Sequence, residues 1–146
     1  MVKKLDENIL PDHIGFRLRR ANDFWLASFV TAMNASGHSW FTPARANLLG
    51  HIPRTGVKQG ELYRRMGLSK QAVQQLIDGL ELEGVLERQP DPDDKRGNII
   101  IHSDKGRLAL KDADRIKVDI EHGIKARLGE SQFALLFEAL GEIPLK

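Results

Sequence analysis

Residues 69–102, SKQAVQQLIDGLELEGVLERQPDPDDKRGNIIIH, constrain the fold of this chain more than any other stretch. Ser69 is a good N-cap and Gly84 a good stop, so a helix is expected between them. Its apolar residues Val73, Leu76, Ile77 and Leu80 follow an i, i+3, i+4, i+7 pattern and form one inward stripe. At 100° per residue, Gln71, Gln74, Gln75 and Asp78 fall on the opposite face. The β-branched and apolar content of residues 85–88 and 98–101 then predicts two short strands. Between them, Pro90 and Pro92 are expected to block further pairing, while Gly97 lets the backbone turn back. Helix, stop, strand, charged turn and strand in this order have the build of a DNA reader.

The flanking segments extend this pattern. Residues 11–36 read as a first helix carrying Ile14, Leu18, Phe24, Trp25, Phe29 and Met33, and Gly37 ends it. Thr42 and Pro43 suit the cap and first position of a second helix, predicted over 43–51. Pro53, Thr55 and Gly56 mark a turn before a third helix over 58–66, with Leu62 and Met66 inward. Only the short Gly67–Ser69 connection separates that helix from the next, which matches a helix-turn-helix. Downstream, Ser103 and Asp104 suit the start of a long helix over 105–128, with Leu108, Ile116, Ile120, Ile124 and Leu128 as its apolar row. Ser131 is expected to open a last helix. The chain thus divides into residues 1–41 (first helix), 42–102 (the DNA-binding region) and 103–146 (C-terminal helices), all within one domain.

The long C-terminal helix is more polar than a fully buried one should be, and its apolar stripe needs a partner surface. Leu5, Ile9, Leu10 and Ile14, with the stripe of the long helix, either pack within one chain or interleave with a second copy. Two copies would place two reading helices on a pseudo-palindromic site.

Composition narrows the function classes. The chain has no cysteine, which excludes disulfides, thiolate zinc sites and thiol redox chemistry. It has no run of 18 apolar residues and no signal-peptide pattern, so a cytoplasmic protein without a membrane partner is expected. No Gly-rich phosphate loop or recognisable Ser-His-Asp context points to catalysis. The histidines, His13, His38, His51, His102 and His122, lack ligand spacing, and no cofactor is expected. The net charge of +2 and pI near 9.0 permit a nucleic-acid partner without demanding one. The reading segment is itself acidic, so any DNA affinity must come from a few aimed cations.

Glutamine bonds bidentately to adenine in the major groove, which makes Gln71, Gln74 and Gln75 the candidate base readers. Ser69, the first-turn amides and Lys70 can hold a backbone phosphate. On the hairpin tip, Lys95 and Arg96 can enter a narrow minor groove, and Asp94 is placed to orient the Arg96 guanidinium. The alternative for each set is a solvated helix face and an ordinary charged turn.

Thr42-Pro43, Gly60-Glu61-Leu62, Leu80-Glu81, residues 83–88, residues 91–97 and residues 103–107 together closely resemble the MarR family of bacterial winged helix-turn-helix regulators. The resemblance covers about half of the chain. It implies a mainly α fold, with about six helices and a small β-hairpin wing, dimerised through its N- and C-terminal helices. It further implies a homodimer that binds pseudo-palindromic promoter DNA, usually as a repressor, and in many members releases it on binding a small aromatic or phenolic ligand. Carried over by position, the DNA-contacting set is Ser69, Lys70, Gln71, Gln74, Gln75, Asp94, Lys95 and Arg96. Arg88 stands where the family often has an arginine near the DNA backbone or a wing acid.

Four positions depart from that pattern: Tyr63 replaces a usual alanine, Leu82 faces outward, Gly79 loosens the reading helix, and His102 replaces a usual leucine. For the effector, Trp25, Phe29 and Trp40 with a basic neighbour such as Arg17 would suit an aromatic acid; plain core packing is the alternative. A winged-helix module that binds a protein and has no DNA affinity is the competing function.

Overall fold

The computed structural model describes residues 10–144. Its first helix, α1 (Ile14–Ala35), is capped by His13, whose Nδ1 accepts the Phe16 amide at 3.2 Å. Thr42 Oγ1 accepts the Arg45 amide at 3.2 Å and starts α2 (Pro43–Gly50), with proline at the first position as expected. A short strand, β1 (Val57–Lys58), leads into α3 (Gln59–Met66). Gly67 at φ 65 then reverses the backbone, and Ser69 caps α4 (Lys70–Leu82). The hairpin strands are β2 (Leu86–Asp91) and β3 (Asp94–His102). Ser103 Oγ accepts the Gly106 amide at 3.0 Å and opens α5 (Asp104–Leu128), and α6 (Glu130–Glu142) follows.

The core joins the lobe of α2, α3, α4 and the sheet to the long helices α1 and α5. Leu48, Leu62, Val73, Ile77, Leu80 and Ile100 are fully buried at its centre, and Phe29, Met33, Ala109, Ala113 and Ile116 close it from the helical side. Burying side chains of this size contributes roughly 1.5–3 kcal/mol each, so these few residues set the relative placement of the lobe and α5.

Four sequence expectations change. The sheet has three strands in the order β1-β3-β2, and Lys58, expected to open the third helix, lies with Val57 in β1. Two paired residues, Val57 with Ile100 and Lys58 with Ile99, are too few to leave an alternating signature. The wing pairs further than its prolines suggested: Pro90 stands opposite Asn98, and Asp91 opposite Asp94. Because β2 is an edge strand, Pro90 can direct its missing N–H away from the ladder. On α5, Leu108 is 62% exposed; the expected row holds at Ile116, which is buried, and at the partly buried Ile120, Ile124 and Leu128, while Gly106, Ala109 and Ala113 take the inward face of the first turns. Small residues won that face because the helix lies close to the lobe; a Cβ at Gly106 would come within 2.3 Å of the Val85 carbonyl oxygen. Finally, α6 begins at Glu130, directly after Gly129 at φ 84, so Ser131 lies inside the helix.

Leu5 and Ile9 lie outside the described residues, whereas Leu10 and Ile14 are each 70% exposed. Among the described residues no helix is long and apolar enough to cross a membrane.

Candidate nucleic-acid interface

The face of α4 matches its periodicity. Val73, Ile77 and Leu80 point into the core, and Gln71, Gln74, Gln75 and Asp78 are exposed side by side. At its start, Ser69 Oγ accepts the Ala72 amide at 3.1 Å. The first amides of any helix lack an intrahelical acceptor, so those of Lys70 and Gln71 are available to an anion.

Arg88 on β2 reaches across to this helix. Its Nη1 is 2.7 Å from Glu81 Oε1 and its Nη2 is 2.7 Å from Asp78 Oδ1. Burial opposes its charge, but the hydrogen bonds and charges of Asp78 and Glu81 outweigh that effect and raise its pKa above the usual arginine value. Both terminal nitrogens are thereby committed to carboxylates. Arg88 stands in the site as a brace between wing and helix, and it neutralises an acid on the exposed face of α4.

The wing tip is built by side chain to backbone bonds. Asp91, 7% exposed, accepts the Asp93 amide on Oδ1 at 2.9 Å and faces Lys58 Nζ at 3.6 Å. Asp94 Oδ1 accepts the backbone amide of Arg96 at 3.0 Å. That contact corrects the expectation that Asp94 would hold the Arg96 guanidinium: the carboxylate fixes the turn and leaves the arginine head unattached to it. The register steps from Pro90 opposite Asn98 to Asp91 opposite Asp94, so Lys95, Arg96 and Gly97 bulge out of β3 between the two pairs. Lys95 and Arg96 are exposed at that bulge.

The acidity of this segment is organised. Arg88 covers Asp78 and Glu81; Lys58 lies 3.6 Å from Asp91 and 3.8 Å from Asp93; Arg45 lies 3.9 Å from Glu83. Lys58 and Arg45 escaped the sequence reading because their partners are distant in the chain. Arg64 and Arg65 also flank the site, but both pair with Glu61, the guanidinium of Arg64 lowering the Glu61 pKa most. Their i+3 and i+4 spacing from Glu61 was the available signal.

A concavity of about 630 Å³ opens between α1, α2 and α5. Trp25, Phe29, Trp40 and Phe41 form its aromatic wall, Trp25 and Phe29 meeting edge to face at 5.0 Å. Lys117 Nζ stands 5.4 Å from the Phe29 ring centre. Two buried nitrogens on this lining, Trp40 Nε1 and His102 Nδ1, have no hydrogen-bond partner among the described residues. Arg17 is absent from it. Its guanidinium bonds Asp12 at 2.6 and 2.8 Å and lines a separate groove with Phe24 and Leu136. The cation beside the aromatic wall is therefore Lys117, because Arg17 lies too near the start of α1 to reach it.

Among the described residues no group of three or more His, Asp or Glu side chains is placed to hold a metal ion.

Comparison with known proteins agrees with this fold. The family model described as MarR family matches residues 41–97, from the end of the α1–α2 loop to the wing bulge. An HTH-type transcriptional regulator of Bacillus subtilis, YcgE, is 30% identical over 83 residues, which is 57% of this chain and just over half (54%) of that protein. Among solved structures, apo MarR from E. coli superposes with a TM-score of 0.76 over 94% of this chain and 100% of that one, at 19% identity. A probable transcriptional regulator from Pseudomonas aeruginosa gives a TM-score of 0.70 at 25% identity, covering 90% and 97%. A transcriptional regulator from Thermotoga maritima gives 0.61 at 26% identity, covering 87% and 89%.

Proposed function

We propose that this chain is a MarR-family winged helix-turn-helix transcriptional regulator, the family whose model matches residues 41–97, and that it is a cytoplasmic homodimer that binds pseudo-palindromic promoter DNA and represses transcription. The observation that carries this reading is the exposure of two unlike elements, the start of α4 and the wing, that border one groove. The glutamine face of α4 is exposed, while the wing presents Lys95 and Arg96 from a bulge whose own acids are engaged elsewhere. Gln71, Gln74 and Gln75 read base edges in the major groove, and Ser69 and Lys70 hold the adjacent phosphate. Arg96 enters the flanking minor groove.

The dimer rests on surface that one chain leaves bare. None of the residues of α6 is buried: Leu135 and Phe137 are 68% and 65% exposed, and Ile143, just after the helix, is 52% exposed. Near the other end, Leu10 before α1 and Ile14 and Phe24 on it are exposed to a similar degree. Apolar area on this scale at both ends of the chain is suited to a second copy. The aromatic concavity, with Lys117 at its rim, is suited to a small aromatic or phenolic acid that releases DNA.

Selection of bound duplexes from a random pool, followed by a salt titration on the winner, tests the reading. The expected outcome is an inverted repeat with half-sites about one helical turn apart and an affinity that falls steeply with salt. Absence of binding to any duplex at low salt would overturn it in favour of a protein-binding winged helix.

A further inference from the structure

Between the wing, α3 and the start of α4 lies a groove of about 590 Å³ that counts Lys58, Tyr63, Lys70 and Asn98 in its lining. Its acids are all engaged: Glu61 by Arg64 and Arg65, Asp91 by Lys58, and Asp94 by the Arg96 amide. Tyr63 is the residue here that the reading assigned no role.

Its hydroxyl ends a directed chain of hydrogen bonds. The Asn98 amide nitrogen on β3 donates to Gln59 Oε1 at 3.5 Å, and Gln59 Nε2 donates to the Tyr63 oxygen at 2.6 Å. A phenol that accepts in this way keeps one O–H to give. Among the described residues no acceptor takes it, and the half-buried ring, packed against the core, cannot swing far to find one. The groove therefore holds an oriented neutral donor beside Lys70, between the two elements assigned to DNA.

We propose that the Tyr63 hydroxyl donates to a non-bridging oxygen of one DNA backbone phosphate in each half-site, the strand passing through this groove between the reading helix and the wing. The proposal rests on the DNA-reading function above. A backbone contact is favoured over a base contact because the donor sits between helix and wing, and because neutral hydroxyls commonly serve as phosphate contacts that fix register.

Tyr63→Phe tests it on the full chain, keeping the packed ring and removing the hydroxyl, which is the proposed donor and also the acceptor of the Gln59 Nε2 bond. Affinity is expected to fall about 10-fold or more, to the same extent on every selected sequence, with the salt slope unchanged because no charge is lost. Lys70→Ala, by contrast, lowers the slope by roughly one per half-site. Ethylating individual phosphates should locate the contact: one backbone position per half-site hinders the wild-type protein and becomes indifferent for Tyr63→Phe. Unchanged affinity of Tyr63→Phe, or a loss that varies with base sequence, would overturn the proposal while leaving DNA reading intact. Failure of the wild-type protein to bind any duplex would overturn both.

Discussion

The guanidinium of Arg45 on α2 rests on Gly79 of α4, where an added Cβ would come within 2.7 Å of its Nη2. The same side chain donates from Nη1 to the Trp40 carbonyl at 2.9 Å. Gly79 is thus the seat of an arginine that ties the α1–α2 loop to the reading helix. What reads in the sequence as a weak point of α4 is a packing requirement.

A double-mutant cycle follows from that contact. Alanine at position 79 gains ~1 kcal/mol of helix propensity, but it moves the guanidinium and strains a hydrogen bond worth about 1 kcal/mol. Gly79→Ala alone is expected to be near neutral by urea unfolding, and to stabilise by about 1 kcal/mol in an Arg45→Ala background. Equal effects in the two backgrounds would show that the seat is not used.

Arg88 makes a different prediction from a phosphate-binding arginine. Arg88→Ala should weaken DNA binding by exposing the Asp78 and Glu81 charges beside the glutamine face. Adding Asp78→Asn should recover most of the loss in a fluorescence anisotropy assay. If Arg88 instead held a phosphate, the second change would restore nothing, and the salt slope would fall by about one per half-site.

How much of this was legible beforehand depends on the range of each interaction. The stripe of α4 and the caps at Thr42, Ser69 and Ser103 are local patterns and survive intact, and the hairpin survives in place with longer strands than expected. Strand β1, the Lys58–Asp91 contact and the Arg45–Gly79 seat are set by chain segments that meet only after folding, so no spacing announces them. The Arg17 expectation failed for the same reason: position along α1 does not reveal which neighbour each turn meets. Asp94 was placed correctly on the wing, but sequence cannot distinguish a carboxylate that serves a guanidinium from one that serves a backbone amide two residues away.

Arg96→Ala should reduce affinity at the outer edges of the site and lower the salt slope by roughly one unit per wing. Gln71→Ala should leave the slope unchanged and relax preference at one base position per half-site, costing ~1–3 kcal/mol there. Repeating the pool selection with each variant separates the two. An unchanged consensus and slope in both would place the duplex elsewhere on the surface.

The aromatic concavity gives a paired test of Lys117 and Arg17. Benzoate and 4-hydroxybenzoate titrations, followed by tryptophan emission, should respond in the wild-type protein and in Arg17→Ala, whose side chain is tied to Asp12. In Lys117→Ala the half-saturation point should rise about 10-fold, the loss expected for a charge-assisted contact. A flat response in all three proteins would return Trp25, Phe29 and Trp40 to plain core packing.

His102 sets the pH dependence of stability. His102 is 1% exposed, with Nε2 3.3 Å from the Ile52 carbonyl oxygen and no hydrogen-bond partner for Nδ1 among the described residues. Burial lowers its pKa below the ordinary 6.5; the Ile52 carbonyl opposes the shift, and the charges of Arg107 and Arg54 reinforce it. Below pH 6.5 the unfolded chain therefore takes up a proton that the folded chain refuses, and stability rises with pH through that window. The stabilisation from a neutral His102 is complete above pH 6.5 and is lost as the pH drops from there toward the depressed folded value. His102→Leu removes this proton uptake together with an unsatisfied buried nitrogen. Its stability at pH 7 is expected to lie within about 1 kcal/mol of wild type, and its Tm between pH 6.5 and 5 should fall less steeply. Parallel Tm curves for the two proteins would mean that the carboxylates alone, such as Asp112 held low by His38, govern the acid limb.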